Sequence, residues 1–323
     1  MSINQALALA TQKLRGNKIA SASLDAEILL SFVLEKPKEF LYSRPEHDLT
    51  PSQMTKLKQL TTRRSKGEPI AILTGHKEFY GLNFVINKNV LIPRPETELL
   101  VAEALDIIKK SHIAHYPSRA SLAESRRIDK RQRVKTDSLP VTLVDIGTGS
   151  GCIPITLAKN LSHIPHIKYY GLDISKKALA VAKLNAQLHG LSKKIKFIQN
   201  DLLKNIQNTK YFILNTNFII TANLPYLPIK LYASNPELKY EPRQALLAGP
   251  DGLKYYRTLL QQIKTLAHIT HYPSPITIFL EIDPSQTKNI KKVIHQYFTK
   301  SSILIKKDLA GRNRLIIIKL NHK

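Results

Sequence analysis

The sequence predicts an α/β protein with three parts: a small N-terminal helical bundle, a β-hairpin linker, and a doubly wound, mostly parallel sheet of seven strands. Three observations carry this reading. Apolar residues recur at helical spacing through the first 70 or so positions, and strands alternate with helices from residue 141 onward. Three of the chain's 12 glycines, Gly147, Gly149 and Gly151, fall within five residues where a strand gives way to a helix.

The elements follow in order. Ile3, Ala6, Leu7, Ala10 and Leu14 keep the i, i+3, i+4, i+7 spacing of one buried helical face. A second helix begins near Ser23, carries Asp25 and Glu27 in its positively polarised first turn, and is expected to bury Leu24, Ile28, Leu29 and Val33. Thr50, Pro51 and Gln53 form a capping box with proline at the first helical position; that helix runs through Met54, Leu57 and Leu60 towards Gly67. Between 76 and 92 the period changes to two, through Phe79, Leu82, Phe84, Ile86, Val90 and Ile92, which predicts a hairpin. The two-proline joint Ile92-Pro93-Arg94-Pro95-Glu96-Thr97-Glu98 leads into a helix expected to end near Ile108. Residues 109–140 carry nine lysines and arginines against three acids with weak apolar periodicity, and read as a basic insertion. Strands follow at Val141–Ile146, Ile167–Ile174, Ile195–Gln199, Asn217–Thr221, Thr277–Ile282, Ser302–Ile305 and Arg314–Leu320, with Ser175 capping a helix that carries Ala178, Val181, Ala182 and Asn185. The expected boundaries are therefore a helical domain over 1–75, a hairpin and linker over 76–98, and the sheet domain over 99–323.

Composition sets the outer limits. Of 323 residues, 43% are apolar and 23% charged, which excludes a chain disordered throughout. No apolar run approaches the ~18 residues of a membrane span. One cysteine, Cys152, excludes an internal disulfide framework and a cysteine-built zinc site, and its place after the glycine turn reads as small core packing. The histidines, His76 and His189 among them, show no ligand spacing, so no metal is expected. With no basic head and apolar core at the N-terminus, the expected location is the cytoplasm. The net charge of +25 is the extreme number; it fits either an acidic partner such as RNA or a ribosome, or a lysine-rich composition without a partner.

The chemistry starts at Asp145-Ile146-Gly147-Thr148-Gly149-Ser150-Gly151. Glycine admits positive φ and lets a ligand approach the backbone. The spacing differs from the dinucleotide fingerprint, whose third glycine falls one residue later. Asp173, at the end of the second sheet strand, is placed to accept hydrogen bonds from both hydroxyls of a ribose. Asp201, after the third, is placed to read an adenine amine, with Leu202 to pack on the ring. This arrangement resembles the class I S-adenosylmethionine methyltransferases, a Rossmann-like fold.

After the fourth strand comes Asn223-Leu224-Pro225-Tyr226. A planar NH₂ nitrogen, of an amide or an adenine, has a delocalised lone pair and is a poor nucleophile. Two acceptors that hold its N–H groups aim the lone pair at a methyl donor, and the Asn223 side-chain oxygen and Leu224 carbonyl can supply them. Pro225 biases Leu224 to an extended backbone, and Tyr226 can stack on a flat substrate group.

Further stretches give a more specific resemblance. Gly67-Glu68-Pro69-Ile70-Ala71-Ile72-Leu73-Thr74-Gly75 with Glu78-Phe79-Tyr80-Gly81, Leu91 to Glu98, Tyr240-Glu241-Pro242-Arg243, Ala248-Gly249, Asp251-Gly252-Leu253 with Tyr256, and Gly311 with Arg314 are similar to the release factor glutamine methyltransferase family over nearly the whole chain. The resemblance implies transfer of a methyl group from S-adenosylmethionine to the glutamine amide of the Gly-Gly-Gln motif in peptide chain release factors. It implies that Gly147, Thr148, Gly149, Ser150 and Gly151 cradle the methionine part of the cofactor and Asp173 its ribose. Asn223 to Tyr226 would hold the glutamine, with Asn223 catalytic and also against the cofactor. The helical domain would help dock the release factor. Two departures stand out: Leu224 replaces the family's usual proline, and the 109–140 insertion is long. Asn-Leu-Pro-Tyr also occurs in ribosomal RNA adenine dimethyltransferases, so an adenine-amine methyltransferase on RNA or DNA is the alternative activity. A lapsed enzyme retained as an RNA- or ribosome-binding module is the alternative from another class.

Overall fold

The computed structural model describes residues 1–113, 140–204, 216–269 and 275–320. The basic insertion beyond residue 113 lies outside the described residues. Among those described, no helix is long and apolar enough to cross a membrane.

Helices α1 (Ile3–Gly16), α2 (Ala22–Leu34), α3 (Lys38–Ser43), α4 (Pro51–Ser65) and α5 (Ile70–Thr74) form the N-terminal bundle. Ser2 with Gln5 and Thr50 with Gln53 complete capping boxes that satisfy the first amides of α1 and α4. The core holds Ile3, Ala6, Leu29, Leu30, Leu57 and Leu60. In α2 the buried stripe is rotated from the expected one: Leu24 is exposed, and Asp25 is buried, its carboxylate 2.7 Å from Arg64. Asp25 is thus not a solvated first-turn charge. The Arg64 guanidinium in the core needs a partner, and helical spacing places Asp25 rather than Leu24 towards it. Arg64 also reaches Glu237 at 3.1 Å, tying the bundle to the segment that roofs the site. Residue-level periodicity missed α3 and α5, which are too short to show it.

Strands β1 (His76–Phe79) and β2 (Leu82–Val85) form the hairpin, and α6 (Thr97–Ile113) extends five residues beyond its expected end. The sheet strands are β3 (Val141–Ile146), β4 (Ile167–Asp173), β5 (Ile195–Gln199), β6 (Asn217–Ala222), β7 (Ile276–Glu281), β8 (Ser302–Lys307) and β9 (Asn313–Leu320). Their spatial order is β5-β4-β3-β6-β7-β9-β8, parallel except for β9, which pairs antiparallel with both neighbours. Helices α7 (Cys152–Asn160) and α8 (Lys176–Leu188) join α6 and the hairpin on one face; α10 (Lys254–Ile269) and α11 (Thr287–Tyr297) cover the other, and short α9 (Ile229–Ser234) lies above the sheet edge. Alternation along β3 shows the two layers: Leu143 joins the first core, Val144 and Ile146 the second.

The chain order reverses between β3 and β6, which is where a doubly wound sheet opens a crevice for ligands. Ile146 and Ala222 are paired in register, so Gly147 and Asn223 leave adjacent strand ends side by side. This one register relation brings the glycine turn and the Asn-Leu-Pro-Tyr segment together.

Candidate active site

Two clefts meet at that point. The first, about 830 Å³ and open to solvent, is lined by Gly147, Gly149, Asp173, Asp201, Leu202 and Asn223 among others. The second runs between Asn223–Leu227, Arg94 and the α9 region, and it shares Leu91, Asn223, Leu224, Pro225 and Ala245 with the first.

The glycine turn divides its residues between ligand and scaffold. Gly147 and Gly149 face the cleft with φ of 70° and 54°, a backbone no β-carbon-bearing residue adopts cheaply. Thr148, Ser150 and Gly151 turn into the protein instead. The Thr148 amide donates to the Leu172 carbonyl at 2.9 Å, Gly151 donates to the Thr148 carbonyl at 2.8 Å, and Thr148 and Ser150 are buried. Asn185, fully buried, donates to the Ser150 carbonyl at 2.9 Å while its Oδ1 accepts the Val85 amide at 2.7 Å, so α8 clasps the hairpin to the turn. Cys152 is buried, and burial pushes its thiol up to about 12, which leaves it unreactive.

Asp173 receives the Gly149 amide at 2.9 Å and the Ser175 amide at 2.8 Å, one on each carboxylate oxygen, which fixes it at the cleft wall. Burial raises its pKa, against these two N–H groups. Asp201 is exposed at the cleft, whereas Leu202 is largely buried and held at φ 51°, with Asn200 donating to its carbonyl at 2.8 Å. A non-glycine residue held in that region at a cleft is strain of the kind that positions a ligand wall. Asp145, behind the turn, is fully buried; Thr221 donates to its Oδ1 at 2.7 Å, and burial pushes the carboxyl up to about 7.

Asn223 donates from Nδ2 to Thr97 Oγ1 at 2.9 Å. Its Oδ1 has no donor among the described residues, and Asn223 lines both clefts. Leu224 is buried with its side chain over Gly147. Its carbonyl lies 3.4 Å from the Tyr256 hydroxyl, which is also against the Glu281 carbonyl. Tyr226 lines the second cleft and not the first. Its carbonyl accepts Gln286 Nε2 at 3.0 Å, and Gly252 passes directly beneath. Arg94 both lines the second cleft and pairs with Glu241, whose other oxygen accepts the Ile92 amide at 2.9 Å. His76, in the hairpin, and His189, just after α8, both contact Asn83 of the hairpin.

Thr97, Gln286, Asn200, Asn185 and Glu281 were not singled out by sequence for these roles. Thr97 and Glu281 sit at a helix start and a strand end, and Gln286 reads as one more polar residue before a helix. None belongs to a pattern that would distinguish it without the fold.

The residues fit an adenosyl cofactor: a cleft free of β-carbons at Gly147 and Gly149, an anchored carboxylate at Asp173, and an acid with an apolar neighbour at Asp201 and Leu202. Comparison with known proteins agrees. Residues 5–75 match the model of the PrmC N-terminal domain and residues 140–296 that of a methyltransferase domain. A release factor glutamine methyltransferase of Moorella thermoacetica is 32% identical, covering 98% of each chain. A bifunctional methyltransferase of Rickettsia bellii is 32% identical over 99% of this chain but 55% of its own length, so the chain spans about half of the Rickettsia relatives it matches. Among solved structures, the hMettl16 catalytic domain in complex with MAT2A 3′UTR hairpin 1 superposes with a TM-score of 0.51 at 15% identity, covering 91% of each chain, a likeness of fold. With a full-length relative at this identity and both domains of the family in order along one chain, the protein belongs to the release factor glutamine methyltransferase family.

Proposed function

We propose that this chain transfers a methyl group from S-adenosylmethionine to the side-chain amide nitrogen of the glutamine in the Gly-Gly-Gln motif of peptide chain release factors. The observation that carries the reading is the oriented Asn223 amide at the meeting of two clefts: Nδ2 is held by Thr97, and Oδ1 is left without a donor among the described residues. In this reading Gly147 to Gly151, Asp173, Asp201 and Leu202 form the cofactor side. Gly147 and Gly149 meet the ligand, and Thr148, Ser150 and Gly151 hold the turn in shape. Asn223 to Tyr226 form the substrate side.

The cofactor supplies an electrophilic methyl group on a sulfonium. The protein's own task is to present a nitrogen. Asn223 Oδ1 accepts one amide N–H and the Leu224 carbonyl the other, so the nitrogen lone pair points along the remaining direction, towards the first cleft. The Leu224 carbonyl has a lone pair for this, since a carbonyl oxygen carries two and the Tyr256 hydroxyl engages one at 3.4 Å. Tyr226 closes the second cleft around the planar group; burial raises its pKa, so it acts as a neutral phenol. No strong base is needed, since the methylated nitrogen is acidic enough to release its proton to water. Positioning and fixed dipoles supply the rate.

The substrate assignment draws support from the family and from the segments it shares with this chain. The helical bundle, joined to the site's roof through Arg64 and Glu237, is suited to docking the release factor, and the cytoplasm is where that factor is met. The +25 charge adds a weak affinity for RNA or the ribosome at low salt.

The test is transfer of labelled methyl to purified release factor, to the same factor with the glutamine replaced, and to ribosomal RNA. Label on the intact factor alone is the expected result, and Asn223→Ala should keep cofactor binding while losing most of the rate. Label on RNA alone would replace the substrate with an adenine amine. A wild-type chain that binds no cofactor would point to a lapsed enzyme.

A further inference from the structure

We infer that Glu281 and Thr97 are positioning residues that fix which end of the Asn223 amide faces the substrate. The inference rests on the reading of Asn223 as substrate acceptor, and it concerns how that acceptor is kept an acceptor.

The two ends of an asparagine amide have the same shape, so only their hydrogen-bond partners decide which way it points. Here the partner is the Thr97 hydroxyl, which accepts Asn223 Nδ2 at 2.9 Å. A hydroxyl is ambiguous, because it can also donate. If Thr97 donated its proton to Asn223, the amide would turn over and present its NH₂ to the substrate NH₂. Two donors would then face each other, and the nitrogen would lose its aim.

Glu281 removes the ambiguity. It is the last residue of β7 and 1% exposed, and neither carboxylate oxygen has a hydrogen bond of ordinary geometry or a cation within 4 Å among the described residues. Strands β6 and β7 pair Ala222 with Leu280, so Glu281 leaves the sheet beside Asn223, on which the buried Thr97 hydroxyl sits, and that hydroxyl lowers the Glu281 pKa. A carboxylate only accepts, so it draws the Thr97 proton to itself and leaves the Thr97 lone pairs for Asn223. The surroundings are mixed: Arg314 and Arg94 favour its charge, Glu96 opposes it, and the phenols Tyr226 and Tyr256 also feel its field. A buried carboxylate without a close cation is a poor choice for stability, which is consistent with a role in the site.

Protonated, Glu281 becomes a donor and the ordering is lost. Burial pushes this carboxyl up to about 7, so the ordered state should be gained as pH rises through neutrality and lost below it.

The experiment uses the full chain with cofactor bound, and compares Thr97→Val, Thr97→Ser and Glu281→Gln. Asparagine-labelled ¹⁵N spectra report the Asn223 side-chain NH₂, assigned by its loss in Asn223→Ala. In wild type at pH 8 one amide proton should exchange slowly; in Thr97→Val and Glu281→Gln that protection should be lost, and in Thr97→Ser kept. Transfer to release factor should fall on the order of ten- to a hundredfold in kcat for the first two, with cofactor Kd within about twofold of wild type. Wild-type kcat should climb between about pH 6 and 8, and Glu281→Gln should flatten the climb. An Asn223 amide signal indifferent to both Thr97→Val and Glu281→Gln overturns the inference, whatever the substrate is. A signal that responds, in a wild-type chain that does not label release factor, upholds the amide ordering and overturns only the substrate reading.

Discussion

Gly252→Ala tests how the substrate loop is held from behind. A β-carbon at Gly252 would sit 2.1 Å from the Tyr226 carbonyl oxygen and 2.2 Å from Gln286 Nε2, at a φ of +71°. Carbon–oxygen contacts settle near ~3.3 Å, so roughly 1.2 Å of displacement is required. The obstacle on one side is backbone, not a flexible side chain. The left-handed conformation costs about 1–2 kcal/mol for alanine. Gln286 also stands to lose its bonds to the Tyr226 and Asp251 carbonyls, at 3.0 and 3.3 Å, worth about 1 kcal/mol each. The total is about 3–4 kcal/mol, or roughly 4–6 °C in Tm for a chain of this size. The rate should fall further than stability suggests. A loop shifted by about 1 Å moves the Leu224 and Asn223 acceptors off their aim, a displacement that costs about a hundredfold. Gly252 does not line the cofactor cleft, so calorimetric cofactor affinity should stay within about threefold. Melting, calorimetry and single-turnover methyl transfer on one preparation separate these effects. A variant that melts lower but turns over within threefold of wild type would refute the claim that Gly252 positions the loop.

Two further outcomes follow from buried charge. Asp25→Ala leaves Arg64, about nine-tenths buried, with the Glu68 carbonyl and, as the one ion-pair partner among the described residues, the half-exposed Glu237; denaturant unfolding should show a loss of about 3 kcal/mol, largely recovered by adding Arg64→Met. Asp145→Asn probes the other sign. Burial lifts this carboxyl from 3.8 to about 7, so between those values the unfolded chain releases its proton first and stability falls as pH rises. The full penalty, at most about 4 kcal/mol, is present above pH 7. Asparagine keeps an acceptor for Thr221, so the drop in Tm from pH 5 to 8 should be visibly smaller in the variant; an unchanged drop would mean that folding does not raise the Asp145 pKa and that the carboxyl is already charged in the folded chain at pH 5.

Much of the fold was legible because periodicity is a local property. The bounds of β3 and β5, the capping box at Thr50, the Ser175 cap and the buried Ala178–Asn185 stripe follow from neighbours in sequence. Leu24 shows where this stops. The pattern placed an apolar side chain inwards, but the bundle needed an acid for Arg64, 39 residues away, and no window along the chain contains that relation. The site divides in the same way. The glycine turn, Asp173 and Asn223 were legible as residue types at strand ends, and the parallel register of β3 and β6 explains why they meet. The residues that aim them were not legible, because Thr97 and Asn223 are 126 positions apart and Asn185 and Val85 are 100 apart.

The signature stretches on either side of the catalytic loop acquire a common physical reason from this. A loop whose working parts are one side-chain oxygen and one backbone carbonyl cannot be aimed by its own side chains; the backbone must be gripped. Tyr256 stands beneath the Leu224 carbonyl, Gln286 and Gly252 hold the Tyr226 carbonyl, and Glu241 takes both the Ile92 amide and the Arg94 guanidinium to fix the linker that delivers Thr97. Leu224 fits the same logic. Its side chain is buried, and its Cδ2 approaches to 3.2 Å of where a β-carbon on Gly147 would lie. Under the proposed function Gly147 is therefore required from two directions, by a ligand that comes close to its backbone and by the Leu224 side chain that leans on it. Substitution there should disturb cofactor binding and substrate positioning together, whereas Gly149, with only its neighbour's carbonyl at 3.9 Å, should disturb cofactor binding alone.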